Sequence, residues 1–183
     1  TVTYSKQLDV AKYQGQNLFI KFYGSNKNTT VKVDGQEVGT HVGGYCAFTF
    51  DLTKYVQGKN SVALTVDVTN VDTVSIPINV DYTQFSGIYR DVELIALPNQ
   101  YISTENKGSS GIFVDYKFSG NNASVNTRVD VTNKAARAAS LVLKTTISDN
   151  AGNIVSEQSS NVQVGARTEA SEQKVNQQLA NVH

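Results

Sequence analysis

The chain has 183 residues, 39% apolar and 17% charged, and its 16 Lys and Arg balance 16 Asp and Glu. Apolar residues spread along the whole length exclude global disorder, and the balanced charge supplies no field to draw the chain to nucleic acid or to an anionic membrane. A neutral, hydroxyl-rich partner suits that balance. The length exceeds the commonest domain size of about 100 to 150 residues and fits two small β domains.

In chain order, apolar residues recur with a period of two in nearly every segment, so the predicted elements are strands and the fold class is all-β. A strand over Tyr4 to Val10 comes first. Leu18, Ile20 and Phe22 then alternate with Phe19, Lys21 and Tyr23, a strand with two partly apolar faces as expected inside a sandwich, ended by Gly24. Val31-Lys32-Val33 and Gln36-Glu37-Val38 flank Asp34-Gly35, a pair suited to the positive φ angles of a type I′ turn, and form the clearest hairpin. Asp51-Leu52-Thr53 reads as a turn capped by side-chain oxygens. Val62, Leu64, Val66 and Val68 mark one face of a long strand. Asn70 to Ser86 is a long polar connection, of the kind that is usually functional when ordered. Ile88 to Ile95 reads as one strand carrying Arg90, Asp91 and Glu93.

Pro98-Asn99 ends that ladder and sets the expected domain boundary, giving domains 1–98 and 99–183. In the second, three alternating runs follow: Ile112 to Phe118, Val125 to Val131 and Leu141 to Ile147. Asp149 to Asn153 makes a turn into Ile154-Val155, with Val162 and Val164 beyond, and Glu172 to Leu179 is a polar strand candidate. Five or six short strands suggest an immunoglobulin-like sandwich, although it lacks the Cys and Trp markers of antibody domains. With no closing apolar strand before His183, the second domain is expected to be C-terminally truncated.

Few residues invite chemistry. The single Cys46 excludes an internal disulfide, lacks the partners a metal site needs, and is expected to be a packed thiol. A lone His41 after a hairpin reads as structural or solvated. The triplets Asn28-Thr29-Thr30 and Asn122-Ala123-Ser124 match a glycosylation pattern and are taken as turn chemistry. No run approaches the roughly 20 apolar residues of a membrane span, and there is no phosphate-binding Gly loop, no G-x-S-x-G and no Cys/His cluster. No cofactor is expected.

An ordered series of landmarks runs through the first domain: Val31 to Gly35 with Val38-Gly39, His41 to Tyr45 leading into Phe48 to Thr53, Gly58 to Val66, and Asp81 to Leu94. The segment Leu18 to Leu97 on this basis resembles the N-terminal sugar-binding domain of glycoside hydrolase family 2. In that family a jelly roll precedes an immunoglobulin-like domain and a catalytic (β/α)8 barrel. Cys46-Ala47, Asp34 and Ser86-Gly87 depart from the family's usual Thr-Pro, Asn and Gly-Gly. Ser86-Gly87-Ile88-Tyr89-Arg90-Asp91 is more similar to the β-galactosidase branch than to the β-glucuronidase branch.

The resemblance implies a jelly roll followed by an immunoglobulin-like sandwich, and a non-catalytic fragment of a β-galactosidase-like hydrolase whose partner is a carbohydrate substrate. It also implies that the jelly roll is N-terminally truncated, because family members carry further sequence ahead of Tyr4. The catalytic glutamates belong to the barrel, which takes about 250 residues. One position inherits a role: the carboxylate matching Asp81 contacts the sugar, whereas by loop chemistry alone Asp81 caps a turn. Tyr82 and Phe85 stack on a sugar face or join the core, and core is the reading the residues favour. An open sandwich edge makes an oligomer an expected state of the piece. The alternative is a free-standing carbohydrate-binding or adhesive β-sandwich.

Overall fold

The computed structural model describes residues 1–70, 85–106 and 108–181. The chain divides into two compact units, Thr1–Pro98 with Lys107–Ser109, and Asn99–Asn106 with Ser110–His183.

The first unit contains strands β1 (Val2–Asp9), β2 (Asn17–Phe22), β3 (Ser25–Asn26), β4 (Asn28–Val33), β5 (Gln36–Val42), β6 (Phe48–Asp51), β7 (Ser61–Thr69), β8 (Gly87–Ile88) and β9 (Val92–Leu97). A 3-10 turn, Ala11–Tyr13, follows β1, and a one-turn helix, α1 (Thr53–Val56), follows β6. The strands pair antiparallel as β1-β7-β4-β5, β6-β2-β9 and β3-β8. Burial explains the pairing. Val62, Leu64, Val66 and Val68 alternate inward from β7, with Val31 and Val33 beside them, and meet Leu18, Ile20 and Phe22 from β2 in one core closed by Val10 and Leu52. This is the jelly-roll sandwich.

Local chemistry sets the corners. Asp34 and Gly35 take φ of 50° and 79°, as a type I′ hairpin turn requires. Asp34 Oδ1 also accepts the Ala63 N–H at 2.8 Å, and Oδ2 pairs with Lys59 Nζ at 2.9 Å, so the turn is tied to β7. Asp51 Oδ1 accepts the Thr53 N–H at 2.8 Å, and Thr53 Oγ1 accepts the Leu18 N–H at 3.0 Å, which seats α1 with Tyr55 and Val56 buried.

Three expectations need correction. Ile88 to Ile95 is two strands: β8 pairs with β3 and β9 with β2, and Tyr89-Arg90-Asp91 makes the step between them. Cys46 is exposed, because it lies in the bend joining β5 to β6 and outside any strand. Asn28 opens β4 in a half-buried position, paired with Val42 and Thr69, so it is not a turn residue.

The second unit contains β10 (Gln100–Ile102), β11 (Ile112–Ser119), β12 (Asn122–Asn133), β13 (Ala139–Ser148), β14 (Ile154–Val164) and β15 (Thr168–Leu179). β12 pairs with β10 and β11 on one edge and with β15 on the other, and β13 pairs with β14. This is the immunoglobulin-like sandwich, with strands of up to 12 residues where short ones were expected. Its core is small: Val129, Val131 and Val164 with Leu141 and Leu143 packed against them. Asn133, fully buried, donates through Nδ2 to the carbonyls of Arg137 at 2.8 Å and Gly165 at 2.9 Å and accepts from Gln100 and Ala135. It therefore links the segments entering β13 and leaving β14, at one end of that pair, to β12 and β10.

The two sheets are unequal in width, and the inner face of β11 is left open. Val114, Tyr116 and Phe118 are 55%, 65% and 66% exposed along a groove of about 700 Å3 whose opposite wall includes Leu143, Thr145 and Ile147 of β13.

The packing of β2 yields a stability prediction. Phe22 has no exposed surface and stacks on Phe48 at 4.9 Å, so Phe22→Ala should cost about 3 to 5 kcal/mol in urea unfolding. Val142→Thr, at a position 67% exposed, should stay within about 0.5 kcal/mol.

Candidate functional site

Asp81, to which the family resemblance gives sugar contact, and Tyr82, read as a core aromatic with stacking as the alternative, lie outside the described residues. The described structure resumes at Phe85, and what it places around Phe85 to Arg90 is built mainly from the ends of β3, β5 and β8.

Alternation stops at Gly24, and the next residues bury polar side chains instead of apolar ones. Ser25, Asn26, Lys27 and Thr29 are at most 1% exposed. Thr29 Oγ1 donates to Ser25 Oγ at 2.7 Å, and Asn26 Nδ2 donates to the Phe85 carbonyl at 2.5 Å. Asn70 Nδ2 donates to Ser86 Oγ at 2.7 Å, the Ile88 N–H donates to the Tyr4 hydroxyl at 3.3 Å, and the Tyr89 N–H donates to the Gly24 carbonyl at 3.2 Å. Residues 85–89 are thus held to the sheet by at least four hydrogen bonds from β1, β7 and the β2-β3 corner.

Glycine makes room for this arrangement at two positions. A Cβ on Gly24 would fall 2.8 Å from Tyr89 Cζ, and one on Gly44 would fall 2.5 Å from Asn26 Oδ1. Tyr89 donates its hydroxyl to the Gly44 carbonyl, which fixes the ring from its far end. Against that ring lies Phe85, with centroids 6.0 Å apart and planes 20° from parallel, and the Arg90 guanidinium stands 5.6 Å from the Tyr89 centroid. Phe85 is 69% exposed, which corrects the expectation that it joins the core: its backbone is tethered by Asn26 while its ring faces outward.

His41 lies near the end of β5, close to Gly43. Its ring stacks on Phe48 at 4.0 Å and 14°, its Nε2 is buried without a hydrogen-bond partner among the described residues, and burial pushes its pKa below the ordinary value. It is a neutral packing residue. Among the described residues Asn26 Oδ1 and Asn28 Oδ1 are likewise buried without a partner. Among the described residues no group of three or more His, Cys, Asp or Glu is placed to hold a metal ion. The arrangement offers aromatic faces, amide groups and a guanidinium, which suit recognition of a polar ring compound.

Sequence reasoning missed Asn26. Its signal was faint: a polar residue directly after a strand-ending glycine, where period-two reading stops.

With this geometry in place, comparison with known proteins fixes the class. The family model described as "Glycosyl hydrolases family 2, sugar binding domain" matches residues 1–98, and the chain belongs to that family. Among individual relatives, it is 39% identical over 103 residues to a putative beta-glucuronidase of Formosa agariphila, covering 55% of this chain and 12% of that protein. It is 38% identical over 95 residues to a beta-galactosidase of Thermoanaerobacter pseudethanolicus, covering 50% of this chain and 13% of that one. Among solved structures, Bacteroides uniformis beta-glucuronidase superimposes with a TM-score of 0.90 at 31% identity, over 98% of this chain and 22% of its own. The chain therefore spans between 12% and 22% of the length of these proteins.

His41 generates a pH prediction. The unfolded imidazole takes a proton below about pH 6.5 while the folded one resists it, so the unfolded state binds more protons and stability falls as the pH drops below that value. Carboxylates with lowered pKa, such as Asp34 beside Lys59 and Asp149 within its turn, act only at lower pH, as protonation nears the unfolded value of about 4. Thermal unfolding between about pH 7.5 and 5.5 should show a decline that His41→Phe removes.

Proposed function

We propose that these 183 residues are the sugar-binding and spacer part of a longer retaining β-glycosidase that acts on β-galactosides. The observation that carries the reading is the ordered run from Asp81 to Asp91 within a family match that covers residues 1–98. The first unit frames the mouth of the active site, and the second spaces it from the catalytic part. Retaining hydrolysis needs two carboxylates about 5 Å apart, one as nucleophile and one as acid/base, and these belong to the remainder of the protein. Asp81 accepts hydrogen bonds from sugar hydroxyls; such charge-assisted bonds are worth roughly 1.5 to 3 kcal/mol each. Galactosides are favoured because Tyr89 stands where the glucuronidase branch has His.

The open groove of the second unit supports a related assignment. The free edge of β13 and the uncovered inner face of β11 suit further antiparallel strands of the same polypeptide, which would complete the 99–183 domain at its C-terminal end.

Two measurements test these statements. In the full-length protein, Asp81→Ala should lower kcat/KM for p-nitrophenyl β-galactoside at least ten-fold, about 1.4 kcal/mol. Unchanged kcat/KM would reduce the first unit to a scaffold, and faster turnover of the β-glucuronide would reassign the sugar. In the same protein, Val114→Lys should cost more than about 2 kcal/mol of stability, because the groove is filled; a cost within about 0.5 kcal/mol would mean that it stays open.

A further inference from the structure

We infer that the outward face of Phe85, backed by the Tyr89 ring, is a stacking platform for the apolar C–H face of a pyranose ring, with Arg90 donating hydrogen bonds to hydroxyls at its rim. The inference rests on the sugar-binding reading of the first unit but uses residues other than Asp81. Three observations carry it.

The first is exposure with rigidity. A large aromatic side chain 69% exposed costs free energy unless something covers it, yet Phe85 is not on a loose tip. Its carbonyl is held by the buried Asn26 amide, and the residue after it is held by Asn70. Four hydrogen bonds therefore fix the segment while its ring stays outside. The second is the near-parallel stack. At 20° Tyr89 backs one face of the Phe85 ring and leaves the other face of Phe85 outward, and Tyr89 cannot swing away because its hydroxyl is anchored on Gly44 and its backbone on Gly24. A platform ordered before the ligand arrives loses little entropy on binding.

The third is the polar rim. Arg90 is exposed, packs its side chain on Gly24 and places its guanidinium beside the Tyr89 ring, so several N–H donors remain near the stack. A pyranose matches this chemistry: one face presents axial C–H groups to a ring, and its equatorial hydroxyls meet donors at the edge. An aliphatic ligand would leave the guanidinium unused.

The chain contains no Trp, which allows a direct test. Phe85→Trp in the 183-residue chain introduces its single indole, and titration with methyl β-galactoside should change its emission saturably in the millimolar range. Val142→Trp, in the other unit, should not respond. In the full-length protein, Phe85→Ala should raise KM for p-nitrophenyl β-galactoside about ten-fold with kcat within two-fold, and Phe85→Trp should keep KM within about three-fold.

An unchanged KM in Phe85→Ala overturns the platform, as does an indole that does not respond to the sugar. So does a Phe85→Trp variant impaired as badly as Phe85→Ala together with a lowered Tm, since that pattern belongs to a ring buried against the rest of the protein. The Asp81 reading fails separately: loss of activity in Asp81→Ala with Phe85→Ala neutral rejects only the platform. A sugar response at the indole with Asp81→Ala neutral rejects only the carboxylate's role.

Discussion

Burial of the inner face of β2 is the constraint on which the first unit depends. Leu18, Ile20 and Phe22 have no more than 1% of their surface exposed, and Phe19 on the opposite face has none. With both faces apolar, β2 can only be an interior strand, and its neighbours β6 and β9 are placed by that requirement. β9 ends at Leu97, and the next residue, Pro98, accepts a hydrogen bond from Asn17 at the start of β2 at 2.9 Å. The end of the unit is thus fixed by the strand at its centre. The segment from Gly87 to Asp91 has to step from β3 to β2, and that step turns Tyr89 and Arg90 outward beside Phe85.

The second unit has no equivalent of β2. Its buried set is a handful of valines, and a buried asparagine, Asn133, makes connections that apolar packing makes in the first unit. One buried amide that satisfies five backbone and side-chain groups gives direction to a small core, but it adds little of the free energy that a larger apolar contact would supply. The imbalance between a four-strand and a two-strand sheet follows the same pattern, with apolar side chains present on β11 and little across from them.

Most of the strand framework was legible because period-two alternation is a local signal. β7, β11, β12 and β13 alternate cleanly, and Asp34-Gly35 marks its turn by residue type alone. Where the reading failed, residue type and neighbourhood pointed different ways. Ile88 to Ile95 is apolar enough for one strand, but its two halves pair with different partners, and partner choice is not written locally. Cys46 and Phe85 belong to residue types usually buried, and both sit on connections whose backbone decides the matter. The polar row from Ser25 to Thr29 carries no periodic signature at all, because its burial comes from what packs over it. Of the candidate site, Asp81 came from family resemblance, and the stacking of Phe85 on Tyr89 needed coordinates.

The pairing of β2 with β9 has a further consequence for how the protein is made. β2 and β9 lie at opposite ends of the first unit, and β1 likewise waits for β7, so the sandwich cannot close until Leu97 has been synthesised. Every strand partner within that unit nonetheless precedes Pro98. On a ribosome, the first unit can therefore complete its sheets while the second is still emerging, and its slow, long-range closure proceeds without competition from the exposed apolar strand β11.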